Sequence, residues 1–397
     1  MSDIRSFRIE TSDAQLDDLR TRLAMTRWAE PEPVGDWSQG IPRDYLEDIC
    51  DYWANGYDWP ARQARINRFP QFLTEIDGVD IHFIHQRSPR KDAVPLIMTH
   101  GWPGSIVEFL EVIGPLSDPE AHGASGAPAF HVVCPTLPGF GYSGKPTQTG
   151  WGVMKIADAW NRLMQRLGYS SYYAQGGDWG GAVTAALGGG FAGPCLGIHT
   201  NFPVTPLGPA EGETMTEEEQ ACMAGLQTYQ AWDSGYLEQQ STRPQTIGYA
   251  LVDSPVGLAG WILEKYRAWT HRDGNPEHLL TRDELLDNLM LYWLPAAGAS
   301  SARLYWESGR QLLQALGGKL NDVPGFMVDV PSGISRFPVE IVKPSRRWAE
   351  RRYRNLQYWN VLEQGGHFAA FEVPDLFVNE LRHCFGPMIG ASPEGRA

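Results

Sequence analysis

The chain's 397 residues, 42% of them hydrophobic and 20% charged, suffice for a large buried core without disulfide or metal staples. Its 33 basic against 47 acidic residues leave a formal net charge of −14, which excludes the basic surface that nucleic acid or an anionic membrane would require. Five cysteines (Cys50, Cys134, Cys195, Cys222 and Cys384) with no CxxC pair exclude a disulfide framework and a thiolate metal site.

The opening residues, MSDIRSFRIETSDAQLDDLR, alternate in charge and do not read as a signal peptide. No run of about 20 apolar residues offers a membrane span, so a soluble, cytoplasmic protein is expected. Ser12-Asp13 predicts the cap of a helix with Leu16, Leu19 and Leu23 on one face. Beyond a Pro-rich stretch at Glu30–Val34, Pro42 opens a second helix, with Leu46, Ile49 and Trp53 inward and Gly56 as its stop. From Phe72 the period changes. Phe72–Ile76 and Val79–Ile84 alternate apolar and polar residues about Asp77-Gly78, a hairpin signature. Apolar runs then alternate with helical stretches: Pro95–Thr99, a helix from about Ser105, Phe130–Pro135, a helix over Val153–Leu167, Ser171–Gln175, a helix after Gly180, and Leu196–Asn201. Such alternation predicts an α/β fold with a mostly parallel, doubly wound sheet covered on both faces. Residues 204–305 break that rhythm, with helix-length apolar spacing in LAGWILEKYRAWT and TRDELLDNLMLYWL. The sheet pattern resumes at Phe326–Val330 and Leu356–Leu362, and a last helix starts at Pro374. The expected organisation is an N-terminal helical segment (1–70), an α/β core (71–203 and 306–390) and a helical cap inserted at 204–305.

Three motifs carry the chemistry. Gly176-Gly177-Asp178-Trp179-Gly180-Gly181 lies between a predicted strand and a predicted helix. Small residues crowding one reactive side chain permit the strained strand-to-helix turn that lifts a nucleophile above a sheet. A glycine-rich turn whose Asp merely caps the helix would read the same way. The nucleophile expected here is Asp178, where esterases carry Ser. His100-Gly101-Trp102-Pro103-Gly104 also follows a strand, and the N–H groups of Trp102 and Trp179 would form an oxyanion hole. His100 is expected to fix this loop. Gly365-Gly366-His367-Phe368 follows the last predicted strand, so His367 falls where the order nucleophile, acid, histidine places the base. For the acid, Glu340 competes with Asp322 and Asp329, and spacing alone does not choose.

At these residues the chain resembles the microsomal and juvenile-hormone type of epoxide hydrolase. The resemblance rests on HGWPGS (100–105), GGDWGG (176–181) and GGHFAAFE (365–372), with Ser234-Gly235-Tyr236, STRPQT and DSPVGLAGWILEKY in the cap. It spans nearly the whole chain, including the segment that family places ahead of its core. It implies the α/β-hydrolase fold, Asp178 as nucleophile, His367 as base, Glu340 as its orienting acid, and the cap tyrosines Tyr236 and Tyr305 as proton donors. An epoxide and water are the implied reactants, with no metal and no organic cofactor. Gly181 departs from the Ser of many relatives. The membrane anchor of the mammalian microsomal members is missing, so their location does not carry over. Cap aromatics suggest a bulky apolar or aromatic epoxide, and relatives of this kind include enzymes acting on antibiotic intermediates, so a natural-product intermediate is one expectation. Trp232, Trp261 and Trp269 fit such a ligand, and fit plain packing equally. A homodimer is a common assembly.

The residue types suit this chemistry. A carboxylate with an ordinary pKa near 3.9 is ionised at neutral pH and can attack a strained ring without a base; serine could not. Ring opening leaves an alkoxide, which a phenol can protonate. The resulting ester needs an activated water, which a histidine oriented by a carboxylate supplies. A haloalkane-type dehalogenase shares the Asp elbow but must hold a halide with indole or amide N–H groups. A Ser esterase is disfavoured by the missing Gly-x-Ser-x-Gly, and a non-catalytic binding protein by the number of matched reactive groups.

Overall fold

The computed structural model describes residues 3–189, 194–270, 275–316 and 327–391. Period-two patterning produces an antiparallel edge of three strands, β1 (Arg5–Phe7), β2 (Gln71–Ile76) and β3 (Val79–Gln86). The β2–β3 turn is Asp77-Gly78, with φ of 50° and 78°, the hand that matches strand twist. The apolar runs become β4 (Val94–Thr99), β5 (Phe130–Pro135), β6 (Tyr172–Gly176) and β7 (Cys195–Thr200), followed by β8 (Ser332–Arg336) and β9 (Leu356–Val361). All nine form one sheet in the order β1-β2-β3-β5-β4-β6-β7-β8-β9. From β5 to β9 every neighbouring pair is parallel, so each connection must cross over the sheet, and the crossovers are helical. Helix Val153–Arg166 packs on Asp178–Gly189, and Leu110–Ser117 packs on Pro374–Ala391. Between them Leu96, Ile97, Met98, Val132, Val133, Ala174 and Ile198 have no exposed surface.

Two sequence expectations need correction. Helix Asp178–Gly189 starts at the reactive aspartate itself, not after Gly180. The expected strand at Phe326–Val330 is displaced: Phe326 lies outside the described residues, Val328 makes a single bridge to Tyr353, and the strand is Ser332–Arg336. That strand is spelled SGISR, which carries no strand signal. Its Ser335 is satisfied by distant partners, donating to Glu380 (2.6 Å) and pairing with His199 Nε2 (2.8 Å), while Ser332 donates to the nearby Val330 carbonyl (2.8 Å).

Between β7 and β8 the chain is helical: Glu217–Trp232, Gly235–Thr242, Pro244–Asp253, Pro255–Trp269, Arg282–Trp293 and Gly298–Leu316. The last of these runs past residue 305, where the sequence pattern placed the end of the insertion. Among the described residues no single helix is long and apolar enough to cross a membrane. The N-terminal segment supplies helices Asp13–Ala24, Arg43–Asn55 and Trp59–Ile66. The first is closed by a capping box between Ser12 and Gln15, which satisfies two otherwise orphaned backbone donors. This segment is riveted to the insertion through Asp287, which has no exposed surface. Asp287 accepts from Arg62 (2.6 Å), Arg65 (3.3 Å) and Tyr57 (2.8 Å).

Candidate active site

The site is built at the carboxyl ends of the central parallel strands. Thr99 of β4, Gly176 of β6 and Thr200 of β7 lie in register, so the loops that follow these strands meet. The turn after β6 is tight: Asp178 sits at φ 49°, a left-handed conformation that costs a non-glycine residue roughly 1–3 kcal/mol. The surroundings enforce it. A Cβ at Gly180 would overlap the Thr99 carbonyl, and one at Gly101 would overlap the Asp178 carboxylate. Glycine at both places lets the β4 and β6 loops touch, with the Asp178 side chain between them. Its Oδ1 accepts the Trp102 N–H at 2.8 Å. The Trp179 N–H belongs to the first turn of helix Asp178–Gly189, where backbone donors lack intrahelical acceptors.

A second backbone device pairs the histidine with its acid. Val339 and Gly366 form an isolated parallel bridge, so the residues that follow each of them, Glu340 and His367, stand side by side. His367 Nδ1 lies 2.6 Å from Glu340 Oε1, and His367 Nε2 lies 3.4 Å from Asp178 Oδ2. All three are largely shielded from solvent, with side-chain exposures of 2% for His367, 0% for Glu340 and 13% for Asp178. The rival acid Asp329 is exposed and paired with Arg354, and Asp322 lies outside the described residues. Burial disfavours the imidazolium, yet the carboxylates of Glu340 and Asp178 outweigh it and hold His367 well above the ordinary histidine range. His100, by contrast, is pushed down to about 4 by burial. It contacts the Gly101 carbonyl and accepts the Leu137 N–H, so it fastens the loop.

The insertion closes over this triad with aromatic rings. Tyr236 stacks on Trp102 (centroids 4.9 Å apart), and Tyr305 meets Trp179 edge-on (4.8 Å). The two phenol rings are 5.8 Å apart. Both are fully desolvated and held protonated, their pKa values raised well above 10 first by burial and then by neighbouring groups that include Asp178. Tyr236 shares a 2.8 Å hydrogen bond with the hydroxyl of Tyr229. The Tyr305 hydroxyl and the Trp179 indole N–H are buried and make no hydrogen bond of ordinary geometry among the described residues. Lys265, ion-paired to Asp233 at 2.6 Å, lies 5.0 Å over the Tyr236 ring.

Of the three cap tryptophans singled out from sequence, only Trp269 reaches the centre. Its ring is 4.9 Å from His367, and its carbonyl accepts the His367 N–H. Trp232 is 87% exposed, and Trp261 faces an outer groove beside the N-terminal segment. Tyr229, Lys265 and Glu108 escaped sequence reasoning. Tyr229 lies on the helix before that of Tyr236 and carried no local signal; Lys265 and Glu108 read as ordinary charges on helical stretches. A small cavity runs against Asp178 and His367. It is lined also by Glu108, Gly104, Gln175 and Asn201, and neither Tyr236 nor Tyr305 lines it.

Comparison with known proteins shows the family and the fold. The N-terminal part matches the model for the epoxide hydrolase N terminus over residues 4–109, and residues 94–246 match the α/β-hydrolase fold. A Stigmatella aurantiaca protein, provisionally assigned as an epoxide hydrolase, is 50% identical over 382 residues, covering 96% of this chain and 84% of its own. Epoxide hydrolase 1 of Sus scrofa is 36% identical over 407 residues, covering 96% and 88%. Among solved structures, the juvenile hormone epoxide hydrolase of the silkworm Bombyx mori superposes with a TM-score of 0.87 at 31% identity, over 98% of this chain and 95% of that one. The Aspergillus niger epoxide hydrolase gives 0.86 at 33% identity, over 97% of each.

Proposed function

From the premise that this chain belongs to the epoxide hydrolases of the α/β-hydrolase fold and is itself an epoxide hydrolase, we propose that it opens its substrate through a covalent ester on Asp178. The observation that carries this reading is the carboxylate itself. It is raised on a strained turn, with one oxygen on the Trp102 N–H and the other facing His367. In the first step an Asp178 oxygen bonds to a ring carbon, the carbon–oxygen bond of the epoxide breaks, and its electron pair passes to the ring oxygen. Tyr236 and Tyr305 hold that oxygen, and one phenol gives it a proton. Buried phenols are weak acids, but an alkoxide in the same dry site is a stronger base still.

Ester formation changes the electrostatics of His367. The resting imidazole is held charged by two carboxylates; the ester removes one of those charges. His367 then gives up its proton, which balances the one the phenol donated, and is free to act as a base. Water attacks the Asp178 carbonyl carbon while His367 Nε2 takes its proton, and the Trp102 and Trp179 N–H groups receive the oxyanion. Each such donor contributes about 2.7–4 kcal/mol of barrier lowering. As the tetrahedral carbon collapses, the ester carbon–oxygen bond breaks and the proton left on the Asp178 carboxyl passes to the departing alkoxide, which releases a vicinal diol and restores the Asp178 carboxylate beside a charged His367. The clustered rings of Trp102, Trp269, Tyr236 and Tyr305 favour an apolar or aromatic epoxide.

One turnover in heavy-oxygen water tests the route. The label is expected in the Asp178 side chain, and the new diol oxygen is expected to come from the protein. Label passing straight from water into the diol overturns it. The buried indole N–H of Trp179 also suits a halide, so halide release from alkyl halides, assayed beside diol formation, separates a dehalogenase from this reading.

A further inference from the structure

The cavity against Asp178 and His367 has about 20 Å³ open to the centre of a water molecule, room for about one water and far too little for an organic substrate. One of its walls is Glu108, which no step so far uses. Glu108 lies on the single 3-10 turn Ile106–Phe109 that follows HGWPGS, and it is 9% exposed. The loop is shaped around it: a Cβ at residue 104 would collide with the Glu108 carboxyl, so Gly104 yields its side-chain space to that group. The carboxyl therefore looks into the same small space as the imidazole and the ester-forming carboxylate.

We propose that Glu108 is a positioning residue for the hydrolytic water, accepting one of its hydrogen bonds while His367 Nε2 takes the other. This rests on the ester route above. A water held by two acceptors has one proton aimed at the base and the other parked, which leaves a lone pair to face the Asp178 carbonyl carbon. The acceptor works best uncharged, because a carboxylate here would oppose the oxyanion forming on Asp178. Burial supplies that state. It pushes the Glu108 carboxyl up to about 8, with Asp178 and Glu372 adding to the rise while His367 and the Ser105 backbone oppose it. Tyr266 and Tyr292, from two helices of the insertion, also feel its charge.

The test separates ester formation from ester hydrolysis. Single turnovers with styrene oxide as the first probe are followed by tryptophan fluorescence and by rapid-quench mass spectrometry of the adduct. Glu108→Leu, which keeps the bulk but offers no acceptor, is expected to alkylate within about twofold of the parent and to hydrolyse the ester on the order of 10²-fold more slowly, the scale of a misplaced reactant. Glu108→Gln, uncharged and still an acceptor, is expected to recover most of that rate. It should also remove a fall in parent hydrolysis at alkaline pH, set by ionisation of Glu108 among the ester of Asp178, His367, Glu372, Tyr266 and Tyr292. Hydrolysis by Glu108→Leu at the parent rate overturns the inference. So does a Glu108→Gln as slow as Glu108→Leu, or an equal loss in both steps. Should Glu108→Leu fail to fold, an alkaline limb that persists in Glu108→Gln overturns it alone. Failure of the ester route looks different: no adduct forms in any variant, His367→Gln included.

Discussion

At the level of single residues, the site works by placing charges where each step needs them. His367 sits between two carboxylates, and its affinity for a proton depends on how many of them are charged. Hydrolysis needs the neutral imidazole, so its rate should fall as pH drops through the His367 pKa of the ester form. Glu340→Gln removes the remaining anion and lowers that pKa. The acid limb should therefore move to lower pH, while the plateau falls by about 10⁴-fold because the imidazole tautomer is no longer fixed. Single-turnover hydrolysis measured across pH checks both signs. Tyr305→Phe should slow alkylation by roughly 10²-fold, the usual scale of a lost proton donor, without slowing decay of preformed ester; rapid-quench kinetics separates the two. Tyr229→Phe breaks the 2.8 Å link to Tyr236 and should act on the same step more weakly. The reactive residue types and their order were legible in the sequence. The bearing of a given aromatic on the site was not, because Trp232 and Trp269 have similar neighbours in the chain and opposite exposures.

At the level of elements, the strand-to-helix turn is the part most tightly specified. Gly180→Ala would push a methyl group into the Thr99 carbonyl. It should cost about 1–3 kcal/mol, read as a lowered midpoint in denaturant unfolding, and should reduce turnover because the β4 and β6 loops can no longer meet. The strands rich in apolar and β-branched residues, β4 and β5 above all, could be read at once, since burial on both faces selects such runs. β8 could not. Its Ser335 is tolerated in the sheet because His199 and Glu380, each far away in sequence, complete its hydrogen bonds. Spacing alone likewise did not choose Glu340 over Asp322 and Asp329; the resemblance pointed to it, and the Val339–Gly366 bridge is what sets it beside His367.

The whole molecule adds a mechanical connection. Helix Arg282–Trp293 faces two ways. Asp287 and Met290 bind the N-terminal segment, through Arg62, Tyr57 and Trp53. Asn288 and Tyr292 donate to the carbonyls of Pro103 and Gly104, each at 2.8 Å, in the loop that carries the Trp102 N–H. The N-terminal segment thus braces the helix that braces the loop proposed to receive the oxyanion. Asp287→Asn leaves Arg62 without its buried counter-charge and should destabilise the protein by about 3 kcal/mol, measured by chemical denaturation. It should also lower the rate constant of ester hydrolysis more than that of alkylation, because the loop that receives the oxyanion loses support.

The sequence by itself determined the apolar strands, the parallel sheet and the three motifs, because strand period, glycine punctuation and residue chemistry are local properties of the chain. Only the tertiary structure set Glu340 in contact with His367, put Trp269 and not Trp232 against that histidine, and turned Glu108 toward the small cavity beside Asp178 and His367. Those outcomes depend on contacts between residues dozens to hundreds of positions apart, and on the desolvation that such contacts produce.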